Sequence, residues 1–124
     1  MKKRVLVVED NRVNMYLIGF ILEKNGYEVI RAETGKEGVN LAIEEKPDLI
    51  LMDIMLPDID GLEATKRIRE SGADGDVPII ALTSYAMVGD KDKAMFAGCT
   101  GYIEKPIDPE TIIGEIEKYL QGSS

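Results

Sequence analysis

The sequence predicts an α/β fold, a doubly wound parallel sheet of (βα)₅ type in a single domain. Three observations predict it. Five short apolar runs, Val5–Val8, Tyr27–Ile30, Leu49–Met52, Ile79–Leu82 and Tyr102–Ile103, alternate with stretches of helical period. Such alternation implies parallel strands joined by right-handed helical crossovers. The run Leu49-Ile50-Leu51-Met52 is apolar throughout, as a strand covered on both faces requires, and a carboxylate, Asp53, follows it directly. Finally, 124 residues are one domain's length and enough for a self-sufficient core.

The elements follow in order. The first strand ends in Glu9-Asp10. In the helix after it, Val13, Leu17, Phe20 and Ile21 recur at i, i+4, i+7 and i+8, which predicts an apolar face, with Gly26 as the stop. The second helix gathers Val39, Ala42 and Ile43, and Pro47 ends it. The third runs from Gly61 to about Glu70 and groups Leu62, Thr65 and Ile68. The fourth, roughly Met87 to Ala97, is the weakest, because Gly89-Asp90 interrupts it and its apolar side is mostly Ala and Met. Marginal elements are where switching tends to occur. The last helix opens with Asp108 as N-cap and Pro109 at the first helical position, and it places Ile112, Ile116, Tyr119 and Leu120 together. The expected domain is 1–121, with 122–124 as a disordered tail.

Composition removes several function classes. The formal net charge is −8, from 15 basic and 23 acidic residues. Direct nucleic-acid binding needs a basic face, and an anionic membrane surface would repel this chain. No apolar run is long enough to cross a membrane. A single cysteine, Cys99, excludes an internal disulfide and suits a reducing compartment, so the expected location is the cytoplasm. There is no histidine. Any metal must therefore sit among oxygen ligands, which favour Mg²⁺, Mn²⁺ or Ca²⁺.

The chemistry collects where the strands end. Glu9-Asp10 follow the first strand, Asp53 the third, Thr83-Ser84 the fourth and Glu104-Lys105-Pro106 the fifth. In a parallel sheet these ends share one edge. In the strand order 2-1-3-4-5 the first and third strands are neighbours at the topological switch point. Glu9, Asp10 and Asp53 then converge, and three carboxylates in one pocket cannot all ionise without a cation. Mg²⁺ fits best, with Mn²⁺ as an alternative. Lys105 adds a cationic head and Thr83 a hydroxyl donor. Cation, lysine and hydroxyl around a carboxylate suit phosphoryl transfer, with the central Asp53 as nucleophile.

These residues resemble the receiver domain of two-component response regulators over about residues 3 to 121. The matching pieces are Val7-Val8-Glu9-Asp10-Asn11, Leu51 through Gly61, Ala81-Leu82-Thr83-Ser84 and Ala97 through Pro106. The resemblance implies the flavodoxin-like fold and makes Asp53 the acceptor of a phosphoryl group from a phosphohistidine on a histidine kinase or histidine phosphotransfer protein. It implies Mg²⁺ on Asp10, Asp53 and the Met55 backbone carbonyl, with Glu9 reaching the ion through water. It places Lys105 on the phosphoryl oxygens, Thr83 and Tyr102 as the switch pair, a cis bond at Lys105-Pro106, and Met55 and Tyr85 beside the path of the hydrolytic water. The signal is expected to leave through the fourth helix, fifth strand and fifth helix toward a protein target.

Blander readings stand beside these. Glu9 alone is a solvated strand end, and Tyr102 a packing residue. Cys99 and the methionines other than Met55 read as filler. A receiver cut from a larger hybrid kinase or regulator would leave the same sequence as a stand-alone one. Two rivals belong to other classes. A flavodoxin-like electron carrier shares the fold, but it needs a hydroxyl- and glycine-rich phosphate loop where Glu9-Asp10 stand. A hydrolase using an aspartyl-phosphate usually carries a second acid where Met55 stands. The receiver reading therefore treats the chain as a phosphoacceptor that catalyses only its own phosphorylation and dephosphorylation.

Overall fold

The computed structural model describes residues 2–72, 76–84 and 90–121. The elements alternate as β1 (Arg4–Val8), α1 (Arg12–Lys24), β2 (Glu28–Ala32), α2 (Gly35–Glu45), β3 (Leu49–Asp53), α3 (Gly61–Ser71), β4 (Ile79–Thr83), α4 (Asp90–Ala97), β5 (Gly101–Glu104) and α5 (Ile112–Gln121). The five strands form one parallel sheet, as the alternation predicts, in the order β2-β1-β3-β4-β5 that is common for such sheets.

Strand alternation divides the core into two. Val5, Val7, Leu49, Leu51, Ile80, Leu82 and Ile103 face α1 and α5, where they meet Ile18, Leu22, Ile112 and Ile116. Leu6, Val8, Ile50, Met52, Ile79 and Ala81 face the opposite side, against Ala42, Ala64, Ile68 and Ala94. All four residues of the Leu49–Met52 run are fully buried, which is why the run shows no polar alternation. Each such side chain contributes about 1.5–3 kcal/mol by leaving water.

The helix ends carry local signals. Asn11 caps α1, Thr34 caps α2 and Asp60 caps α3, each accepting the amide three residues on. Lys46 ends α2 in a left-handed conformation at φ 46°, and Pro47 after it bars the helical region to that residue. The sequence places Asp108 and Pro109 at the opening of the last helix, but α5 begins three residues later, at Ile112: the Asp108 side chain accepts from Glu110 N–H and its carbonyl from Thr111 and Ile112, closing a turn ahead of the helix. The first turn, 109–111, precedes the regular helix. Met87, Gly89 and Tyr85 lie outside the described residues, so the expected start of the fourth helix does too.

One expectation is overturned. The stripe chosen for α1 is mostly its outer side: Val13 is 75% exposed, Phe20 54% and Leu17 37%. The helix instead buries Met15, Ile18, Gly19, Ile21 and Leu22. Residues 13 to 22 are apolar almost all the way round, so two stripes satisfy the helical period. Packing against β1 and β3 selects the aliphatic one.

Candidate functional site

The sheet's own hydrogen bonding places the site residues. Three of the four ladders continue one rung past their strands. Glu9 N–H bonds the Ala32 carbonyl at 3.0 Å, Ile54 N–H the Leu82 carbonyl at 3.1 Å, and Lys105 N–H the Thr83 carbonyl at 2.7 Å. The backbones around Glu9, Asp53, Thr83 and Lys105 are thereby fixed to neighbouring strands at one edge. β1 pairs with both β2 and β3, so Glu9 and Asp53 meet where the chain order reverses. Carboxylate oxygens of Glu9, Asp10 and Asp53 all lie within 4.8 Å of one another.

Glu9 and Asp53 are buried, while Asp10 is exposed. Lys105 Nζ donates to Glu9 Oε1 at 2.6 Å and to Asp53 Oδ2 at 3.2 Å. Glu9 Oε2 accepts the Asn11 N–H at 3.2 Å. Burial, joined by the Asp53 carboxylate, pushes the Glu9 carboxyl above its ordinary range, and Lys105 pulls against that rise. Burial alone would lower the Lys105 ammonium, but Glu9 and Asp53 outweigh it and hold Lys105 more firmly protonated.

Asp53 Oδ1 accepts the Met55 N–H at 3.1 Å, which folds the following loop back over the carboxylate. Gly61 closes that loop, its N–H bonding the Ile54 carbonyl at 2.8 Å. A side chain at Gly61 would run into the Asp53 carbonyl oxygen, so glycine is required by the approach. Thr83 is buried at the end of β4, and Tyr102 is half-buried on β5, opposite Ala81. The Lys105-Pro106 peptide is cis, as the resemblance implies.

The donor set fits a hard divalent cation. It consists of oxygens alone, two of the three carboxylates are buried, and the nearest compensating charge is one lysine. A bound cation would relieve the carboxylate repulsion that adds to the effect of burial on Glu9. Both Glu9 oxygens already have partners, which suits a place behind the ion's first ligands.

Sequence reasoning missed Asp58, whose oxygens accept the Gly35 and Lys36 amides. Nothing local to Asp58 signals this, because its partners lie more than twenty residues away. It also missed Arg69, whose guanidinium bonds the carbonyls of Gly98 (2.9 Å) and Val77 (2.7 Å) and the Thr100 hydroxyl (3.2 Å). Arg69 thereby joins α3 to the turn after α4. A further feature is the apolar patch beside the acidic edge. Tyr16 and Phe20 stack with centroids 6.4 Å apart, and with Arg12, Val13 and Leu17 they line a shallow cavity of about 520 Å³. A neighbouring cavity of about 430 Å³ joins Tyr16 and Phe20 to Glu9 and Asp10.

Comparison with known proteins agrees with this fold. The family model for the response regulator receiver domain matches residues 5–117. The polar-differentiation response regulator DivK of Brucella anthropi is 46% identical over 120 residues, spanning 97% of this chain and 98% of that protein. The receiver domain of the sensor histidine kinase PA1611 from Pseudomonas aeruginosa superposes with a TM-score of 0.90 at 36% identity, covering 97% and 98% of the two chains. Its structure holds a magnesium ion in the active-site cleft. The receiver domain of Ssk1 from Saccharomyces cerevisiae, solved with the histidine phosphotransfer protein Ypd1, matches with a TM-score of 0.88 at 34% identity, over 95% of this chain and 88% of that one.

Proposed function

Because the chain belongs to the response regulator receiver domain family, we propose that Asp53 is its phosphoacceptor, taking a phosphoryl group from a phosphohistidine of a histidine kinase or histidine phosphotransfer protein. One observation supports this above others. The oxygens of Glu9, Asp10 and Asp53 converge within 4.8 Å, and Lys105 Nζ stands 3.2 Å from Asp53.

In this reading Asp53 attacks the phosphorus, the bond from phosphorus to the imidazole nitrogen breaks, and the imidazole retains the electron pair and takes a proton. Asp10, Asp53 and the Met55 carbonyl would hold Mg²⁺, with Glu9 behind them. When bound, the ion neutralises charge on the phosphoryl oxygens and so lowers the barrier. Lys105 moves from pairing carboxylates to pairing the new phosphoryl oxygens. Thr83 offers its hydroxyl to them, and Tyr102 follows on the adjacent strand. The altered surface of α4, β5 and α5 carries the signal to a protein target, as a shift between states already present.

The α1 patch gives the donor a place to dock. Tyr16 and Phe20 line both the apolar cavity and the cavity that reaches Glu9 and Asp10. A helical donor seated there brings its phosphohistidine to the acidic edge. The cytoplasm is the compartment this reading requires, and a buried free Cys99 is consistent with it.

The test is labelling by acetyl phosphate with and without Mg²⁺, read by mass spectrometry. Wild type should gain one phosphoryl group only with the metal, and Asp53→Asn should gain none. Equal labelling of the variant would move the acceptor elsewhere.

A further inference from the structure

We propose that Asp58 is a positioning residue for the cation and phosphoryl site, tying the loop that carries Met55 to the N-terminus of α2. The inference rests on the reading of that site given above and deepens it. Asp58 lies in the loop 54–60, three residues beyond Met55. Its Oδ1 accepts the Gly35 N–H at 2.7 Å and its Oδ2 the Lys36 N–H at 2.9 Å. One carboxylate therefore holds the first two amides of α2, which have no acceptor within their own helix. The negative charge also sits at the positive end of the helix dipole.

The helix does not need Asp58 for its own cap. Thr34 Oγ1 accepts the Glu37 N–H at 3.1 Å, and Glu37 Oε1 reaches back to the Glu33 N–H at 2.7 Å. The Asp58 bonds come in addition, and their other end is the loop. The approach is close: a side chain at Gly35 would stand 2.5 Å from Ile59 Cγ1, 3.1 Å from the Ile59 carbonyl oxygen and 3.2 Å from Asp58 Oδ1.

The loop is thus pinned at three points. Met55 N–H is on Asp53 Oδ1, Gly61 N–H is on the Ile54 carbonyl, and Asp58 is on α2. The first two pins are internal to the β3–loop–α3 unit. Asp58 anchors the loop to a separate element, and the Met55 carbonyl lies between the pins. A neutral carbonyl ligand is useful to a cation only where it is held in place, so releasing Asp58 loosens that ligand.

Mg²⁺ titration calorimetry and amide hydrogen exchange of the metal-free full chain test this. Asp58→Ala should weaken Mg²⁺ binding about tenfold, the low end for loss of an outer partner at a metal site. It should also speed exchange at Met55 and Gly61. Asp58→Asn removes the same charge but keeps one acceptor oxygen, so it should fall between wild type and Asp58→Ala. Thr34→Ala loosens the same helix end without touching the loop and should leave both readouts unchanged. Wild-type affinity and exchange in Asp58→Ala, or equal losses in Asp58→Ala and Thr34→Ala, would overturn the positioning role. Should Asp58→Ala fail to fold, Asp58→Asn carries the comparison, and its matching wild type overturns the role. Wild-type protein that binds no Mg²⁺ would instead overturn the reading of the site itself, before any variant is compared.

Discussion

The Lys105 ammonium donates to the Glu9 carboxylate at 2.6 Å, and the Glu9 side chain is wholly buried. Removing one partner of such a pair strands the other's charge. Lys105→Met should destabilise the metal-free protein by about 1–3 kcal/mol, less than a fully buried pair because Glu9 can take up a proton instead. The sign with pH follows from Glu9. Its folded pKa is raised above the ordinary 4.5, so its contribution to stability declines as pH rises through the folded value. Without Lys105 to oppose the rise, the deficit should widen as pH rises above the ordinary carboxylate range. Urea unfolding at several pH values checks it, and a deficit that narrows as pH rises there refutes it.

The cation ligands should separate by role. Asp10→Asn removes an exposed charged oxygen that faces the cluster and has no part in the Lys105 pair. Glu9→Gln removes a charge whose two oxygens already serve Lys105 and Asn11. Mg²⁺ affinity should therefore fall more steeply for Asp10→Asn. Calorimetric titration giving the reverse order would exchange the two assignments.

Asp58 predicts an acid dependence. The Lys36 amide, with that of Gly35, holds its carboxyl down at about 2 against an ordinary 3.8. A depressed folded value stabilises above the unfolded value, and that benefit is lost as pH falls through the folded one. The stability gap between wild type and Asp58→Asn should stay constant above about pH 5 and close toward about pH 2. A gap independent of pH over that interval would mean that the carboxylate charge adds nothing to the anchor.

The α1 patch should matter for transfer and not for folding. Tyr16 is 64% exposed and Phe20 54%. Changing either to Ala should shift stability by no more than about 0.5 kcal/mol, as for ordinary surface sites. Phosphotransfer from a phosphohistidine protein should slow at least about tenfold, equivalent to about 1.4 kcal/mol. Labelling by acetyl phosphate, which needs no docking, should be unchanged. Equal loss with both donors would place the defect in the site itself.

What the sequence disclosed is what depends on local order. The alternation of apolar runs and helices gives the parallel sheet, whose order is the common one for such folds, and the carboxylates at the strand ends give the pocket, because strand ends in a parallel sheet share an edge. The turn at Asp108 is likewise local, since that residue bonds Glu110, Thr111 and Ile112. What escaped depends on tertiary choice. Residues 13 to 22 of α1 offer two apolar stripes, and only the sheet beneath decides that Ile18 and Leu22 go in while Val13 and Phe20 stay out. Asp58 and Arg69 bond partners far along the chain, so no spacing rule finds them. Thr34 and Glu37 did carry a readable capping-box signal.

The last prediction concerns how long the signal persists. Met55 stands two residues beyond Asp53, with its N–H on Asp53 Oδ1, and the residue is 65% exposed. Tyr85, two residues beyond Thr83, is the second position that the resemblance places beside the hydrolytic water, and it lies outside the described residues. A thioether is a weak acceptor and offers no donor, so Met55 cannot hold a water in line with the phosphorus. A tyrosine at 85 carries bulk and one hydroxyl, but neither carboxylate nor amide. Positioning the attacking water is a large part of phosphoryl hydrolysis. The aspartyl-phosphate should therefore be long-lived for a receiver, suited to a relay or a slow signal. The double change Met55→Asn, Tyr85→Glu supplies the missing polar groups and should speed dephosphorylation about tenfold or more, roughly 1.4 kcal/mol off the barrier. Single-turnover loss of phosphate after donor removal, in Mg²⁺, measures both proteins. Wild type that loses its phosphate faster than the double variant would show that these two side chains do not govern access of water.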